Sequence, residues 1–176
     1  SLKARQLLAW ARAQHPGVTL HVPALPVDPG EALGLLESVL ASCNTAPGLI
    51  GSSLGGFYAN ILAARHGLRA VLVNPAVHPH QVMAQYVGPQ RNHHTRQMSL
   101  VTPDHFRWLE HMEVAPPHPQ RLWVLLETGD ETLDYRLAER FYAGCQLDIA
   151  PGGSHAYEGF VEKLPAIMEF LGKKSV

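Results

Sequence analysis

The chain has 176 residues, 46% of them hydrophobic and 16% charged, the length and composition of one globular domain with an ordinary core. With 14 Lys and Arg against 15 Asp and Glu, the formal net charge is −1, so no basic field draws it to nucleic acid or to an anionic membrane. No apolar run approaches the about 20 residues that cross a bilayer, and two lone cysteines, Cys43 and Cys145, exclude a disulfide scaffold and read as buried thiols of a reducing compartment.

Leu7, Leu8 and Ala11 repeat at helical spacing in the opening segment, which begins without a Met and is ended by Pro16-Gly17. Val18-Thr19-Leu20-His21-Val22 follows as a short predicted strand. In Asp28-Pro29-Gly30-Glu31, an N-cap, a proline at the first helical position and a reciprocal capping carboxylate predict a helix to about Ser42. The next strand, Gly48-Leu49-Ile50, runs straight into Gly51-Ser52-Ser53-Leu54-Gly55-Gly56 and a helix from Phe57 to about His66. Arg69 to Asn74 is another strand, stopped by Pro75.

Residues 77–120 differ in character. They carry many prolines and seven histidines, His78, His80, His93, His94, His105, His111 and His118, with two short helices predicted among them. After them come a strand at Leu122–Leu126, a helix from Thr132 to Tyr142, a strand at Cys145–Ala150, and a closing helix from Pro165 to Leu171 ended by Gly172. The strands at Val71–Val73 and Leu122–Leu126 are continuous apolar runs, the pattern of strands covered on both faces. With the alternation of strand and helix, this gives the fold class: α/β, a doubly wound, mostly parallel sheet flanked by helices, in a single domain over 1–176.

Gly51-Ser52-Ser53-Leu54-Gly55 fits G-x-S-x-G, a weak signal as a string but a stronger one between a predicted strand and a predicted helix. There the chain must turn sharply, the flanking glycines leave room for the turn, and the central serine hydroxyl is lifted clear of the sheet edge. Ser53 is therefore the candidate nucleophile, and the N–H of Leu54 points where an oxyanion would develop. A serine needs a base, and the base an orienting carboxylate. In a doubly wound sheet these come from loops at the carboxyl ends of strands. Glu127-Thr128-Gly129-Asp130-Glu131 follows one strand and Pro151-Gly152-Gly153-Ser154-His155 another, which makes Asp130 the candidate acid and His155 the candidate base.

Four segments, Gly51 to Ala59, Val73 to Val77, Thr128 to Arg136 and Gly152 to Ala156, resemble the small YqiA-like bacterial esterases of the α/β-hydrolase superfamily, over essentially the whole chain. The order Ser, Asp, His is that of α/β hydrolases. The resemblance implies carboxyl-ester hydrolysis, with thioesters as an alternative, and Ser53, Asp130 and His155 at the matching triad positions. It departs at the start. Members of that family open with a strand and a His-Gly-Phe-type loop carrying the second oxyanion donor, and this sequence begins after that point. A first central strand is thus expected to be missing, between the Val18–Val22 strand and the one at Leu49–Gly51, leaving unpaired backbone mid-sheet.

Other readings compete at particular residues. Glu131 and Asp134 lie in the same loop and helix start as Asp130 and compete with it, Asp134 reading also as a cap or a partner of Arg136, while Asn74 and Pro75 end a strand at the same rim. The seven histidines raise a metal site, although no His-Glu-x-x-His or Cys-x-x-Cys occurs. Residues 77–120 lie where α/β hydrolases insert a cap, so Tyr86, Met98, Phe106, Trp108, Leu109 and Met112 either line an acyl pocket or form helix faces packed on the sheet. The expectation is a cytoplasmic serine hydrolase acting on a small-molecule acyl ester or thioester, with no cofactor and no metal, and with no nucleic-acid or membrane partner. The alternatives are a non-catalytic binding module and a His-cluster metal protein.

Overall fold

The computed structural model describes residues 1–82, 87–91 and 98–172. Chain order gives α1 (Leu2–Gln14), α2 (Pro29–Ala41), β1 (Leu49–Ser52), α3 (Leu54–His66), β2 (Ala70–Val73) and α4 (Pro79–Val82). β3 (Gly88–Arg91), β4 (Met98–Val101), α5 (Pro103–Met112), β5 (Leu122–Glu127), α6 (Tyr135–Phe141), β6 (Gln146–Ala150) and α7 (Phe160–Gly172) follow. The main sheet has the order β1-β2-β5-β6, and every pairing in it is parallel.

Alternation along the central strands decides which helices cover which face. Val71, Val73, Trp123 and Leu125 point to one side, where Leu7 of α1 and Phe160, Leu164, Ile167 and Phe170 of α7 close over them. Ala70, Leu72, Leu122, Val124 and Leu126 point to the other, against Ala59 and Ala63 of α3 and Ala138 of α6. Helix α3 is buried on both sides: Phe57, Tyr58, Ile61 and Leu62 meet Ala32 and Leu33 of α2 and Phe106 and Leu109 of α5. The sheet is thus covered on both faces, as continuous apolar strands require.

Several local expectations change. Residues Val18–Val22 form no strand, and the sole ladder of β1 among the described residues is with β2. The sequence predicts a short strand there. A strand needs a neighbour to take its amides, and without one only Leu20 packs inward while Val18 and Val22 stay exposed. Helix α7 starts at Phe160, so Pro165 lies inside it rather than at its first position. Four apolar side chains buried on one face outweigh the bond a proline withholds. In α2, Asp28 accepts from the Glu31 N–H at 2.9 Å, so Glu31 serves that cap with its amide and not with its carboxylate.

Residues 77–120 hold α4 and α5 as two short helices, and also the antiparallel β3–β4 hairpin, which periodicity missed. Phe106 and Leu109 are core residues against α3, with Trp108 and Met112 packed beside them, which is the helix-face reading; Met98 is exposed, and Tyr86 lies outside the described residues. His78 pairs with Glu113 at 2.6 Å and His105 with Asp28 at 3.2 Å, while His93 and His94 lie outside the described residues. Among the described residues no cluster of three or more metal-binding side chains forms. Both thiols are half-buried rather than fully buried, and burial pushes Cys145 up to about 11, so it stays protonated.

Leu164 has no exposed surface and sits at the α7–sheet contact, so Leu164→Ala tests core packing. It is expected to lower stability by about 2–5 kcal/mol in urea unfolding. A loss below about 1 kcal/mol would mean that α7 does not carry this face of the core.

Candidate active site

Parallel register brings the strand ends to one edge. Ser52 pairs with Val73, Val73 with Leu125, and Glu127 with Ala150, so the segments beginning at Ser53, Asn74, Thr128 and Pro151 leave the sheet side by side. All four non-glycine residues at positive φ among the described residues follow the ends of β1, β2 or β6: Ser53 at 56°, Asn74 at 41°, His78 at 51° and Tyr157 at 55°. For such residues this conformation is strained, and strain of this kind gathers at functional sites.

Ser53 is the residue between β1 and α3, at φ 56° and ψ −126°. Its N–H donates to the Val73 carbonyl at 3.1 Å and its carbonyl accepts from Ala76 at 3.0 Å, which ties the turn to the end of β2. A side chain at position 51 would drive into the carbonyl of Gly55 and come within 2.8 Å of the Ala59 Cβ. Gly55 is different, since a Cβ there meets open space. The collision that sequence reasoning expected on both sides of the serine exists on the β1 side alone. Leu54 is the first residue of α3, so its N–H has no acceptor one turn back and remains free for a ligand oxygen.

His155 and Asp130 meet. The ring Nδ1 lies 2.8 Å from Asp130 Oδ2, with the Asp130 side chain 2% exposed and that of His155 24% exposed. The other Asp130 oxygen accepts the N–H groups of Thr132 and Leu133, each at 2.8 Å, so the carboxylate cannot rotate away from the ring without breaking them. Asp134 is occupied elsewhere: it caps α6 by accepting from the Arg136 N–H at 3.0 Å and lies 3.7 Å from the Arg136 guanidinium. Among the described residues no hydrogen bond joins the Ser53 hydroxyl to the His155 ring. Catalytic contacts in an unliganded protein are often long and tighten with substrate.

Four further side chains, given no such role by the sequence, hold the His155 loop. Glu127, the last residue of β5, is buried and accepts from Ser154 N–H at 2.8 Å and from Glu158 N–H at 3.0 Å. Asn74 donates to the carbonyls of Ser154 at 3.1 Å and His155 at 3.4 Å, and accepts from Glu127 N–H at 3.0 Å. Lys3 of α1 lies 3.5 Å from the His155 carbonyl. Burial pulls its ammonium below the ordinary lysine range, against the opposing pull of Asp130 and Glu127. Glu131 takes the His155 N–H at 2.9 Å, and that bond holds its carboxyl below the usual range. Asn74 was visible as a strand end, but only the fold shows what its side chain holds.

An open depression of about 350 Å³ is lined by Thr128 and residues 130–136, without Ser53 or His155. It lies along the loop that carries Asp130.

The sequence pattern of the uncharacterised protein family UPF0227 matches residues 1–172. The chain belongs to this family. UPF0227 proteins are YqiA-like, and the solved structures that this UPF0227 chain resembles share the α/β-hydrolase fold. A protein from Agrobacterium vitis S4 described as a hydrolase superposes with TM-score 0.70 at 15% identity, over 97% of this chain and 82% of that one. Mouse alpha/beta hydrolase domain-containing protein 10 gives 0.64 at 13%, over 96% and 82%. The esterase domain of a Rhodothermus marinus protein gives 0.61 at 13%, over 96% and 79%. Among the described residues of the UPF0227 chain, no helix is long and apolar enough to cross a membrane.

The unequal surroundings of Gly51 and Gly55 make a paired test. Gly51→Ala is expected to cost about 1–3 kcal/mol by overpacking, whereas Gly55→Ala, inside a helix with open space above it, should be neutral or stabilising by up to about 1 kcal/mol. Thermal unfolding of both variants checks the pair, and equal losses would contradict the packing described for the turn.

Proposed function

We propose that this chain is a serine hydrolase that cleaves short- or medium-chain carboxyl esters, or acyl thioesters, through an acyl-enzyme. The observation that carries the reading is the buried Asp130 carboxylate fixed on His155 Nδ1 at the same sheet edge as the strained Ser53 turn. The named likenesses to a hydrolase and an esterase domain agree with it.

In this reading Ser53 Oγ attacks the acyl carbonyl carbon while His155 Nε2 takes the hydroxyl proton. Asp130 keeps the proton of the neutral imidazole on Nδ1, so that Nε2 is the basic nitrogen, and stabilises the imidazolium once it forms. The carbonyl oxygen becomes an oxyanion that accepts from Leu54 N–H. His155 then returns the proton to the leaving alkoxide or thiolate, and the C–O or C–S bond breaks. Water, deprotonated by the same nitrogen, attacks the acyl-serine and frees the acid and Ser53. Every step uses side chains and amides of this chain, and no cofactor enters.

A fluorophosphonate probe tests the nucleophile directly. Labelling is expected in the unaltered protein and absent in Ser53→Ala; a folded protein that never labels would instead be a non-catalytic binding module. Asp130→Asn is expected to lower kcat by about 10⁴-fold, since it removes control of the tautomer. Activity on a model ester should also fall as the pH is lowered, because protonated His155 accepts no further proton. Activity that does not fall on acidification would remove His155 from the role of base.

A further inference from the structure

We propose that Glu127 is the positioning residue for His155, an inference that rests on the ester-hydrolase reading for its kinetic readout alone. A carboxylate at the end of an apolar, fully buried strand is costly unless donors surround it. The donors here are main-chain amides of the loop that carries His155. Oε2 accepts from Ser154, Oε1 and Oε2 from Glu158 at 3.0 and 3.1 Å, and Oε1 from Gly159 at 3.4 Å. These amides lie one residue before His155 and three and four after it, so a single side chain pins the loop on both sides of the imidazole.

Two more features point the same way. Gly153, at φ 72°, presses so close that a Cβ there would overlap the Glu127 carboxylate, so the loop is shaped around this side chain. The Glu127 N–H donates to Asn74, whose amide holds the carbonyls of Ser154 and His155. Asn74 directly follows Val73, whose carbonyl accepts the Ser53 N–H. Glu127 therefore sets the height of the imidazole above the sheet, and its main chain joins that loop to the serine turn. The rival role is purely structural, a carboxylate capping the start of α7, whose first residue follows Gly159. That role would cost stability and leave the ring where it is.

The test compares Glu127→Leu, which keeps the bulk and removes the acceptors, with Glu127→Gln, which keeps one acceptor oxygen. In folded Glu127→Leu, kcat on a model ester is expected to fall about 10²-fold with KM within about threefold, and Glu127→Gln is expected to recover most of it. The nitrogen NMR shifts of the His155 ring supply a readout independent of turnover. They should report the Nδ1–H tautomer in the unaltered protein and in Glu127→Gln, and loss of that preference in Glu127→Leu.

If Glu127→Leu does not fold, Gly153→Ala displaces the carboxylate from outside and is expected to show the same tautomer change with a smaller loss of kcat. A folded Glu127→Leu, or Gly153→Ala in its place, with native tautomer and native kcat would overturn the proposal. A protein that hydrolyses no ester but still loses the tautomer preference in Glu127→Leu would keep the positioning role and defeat the hydrolase reading.

Discussion

Parallel pairing is the constraint from which the rest of this molecule follows. Because β1, β2, β5 and β6 all run the same way, each must be left at the same edge and re-entered from the opposite one. Every loop that follows a strand therefore lies on one rim, however far apart in sequence the loops are. Residues 53, 74, 127–131 and 151–157 become neighbours without any one contact having to bring them together. What remains local is how each loop aims its side chains, and that is settled by hydrogen bonds rather than by apolar burial.

The division of labour between the two edges of chemistry is visible in the burial. The faces of the sheet are closed by aliphatic and aromatic side chains with almost no polar atoms among them. Asn74 and Glu127, two of the three buried polar residues among the described residues, both sit at the carboxyl edge, and each uses its side chain on the His155 loop. Holding a loop with an amide and a carboxylate is more specific than holding it with methyl groups, because donors and acceptors must match in direction as well as distance. The positive φ values of Ser53, Asn74 and Tyr157 are tolerated for the same reason: the surrounding bonds over-determine the backbone there.

The sheet was legible in the sequence because both-face burial writes itself as unbroken apolar runs, as at Leu122–Leu126, and the helices because caps and terminators such as Asp28-Pro29 and Pro16-Gly17 bound them. The pairing of Asp130 with His155 was legible for a different reason. It needs only two strand ends and the rule that parallel strands end together, not any detail of packing. Where the reading failed, a long-range partner decided the outcome. Val18–Val22 alternates like a strand but finds no neighbour for its amides. Pro165 looks like a helix start, but burial of Phe160 and Leu164 extends the helix past it. The β3–β4 hairpin lies in a segment whose prolines and histidines mask any alternation.

Glu127 shows why positioning residues are harder to read than reacting ones. A nucleophile, base or acid is chosen from few residue types and must lie in a loop at the rim, so type and place narrow the choice together. Glu127 closes an apolar strand, and from sequence it is simply the first polar residue after Leu126, the ordinary mark of a strand emerging into water. Its burial is caused by amides about 30 residues further on that have no side-chain identity at all. Main-chain donors leave no trace in a sequence except through the glycine that makes room for them, and Gly153 next to Ser154-His155 is that trace. Two consecutive glycines before a candidate base therefore signal more than flexibility. They mark a loop folded tightly around something, and the acidic residue ending the adjacent strand is the first place to look for it.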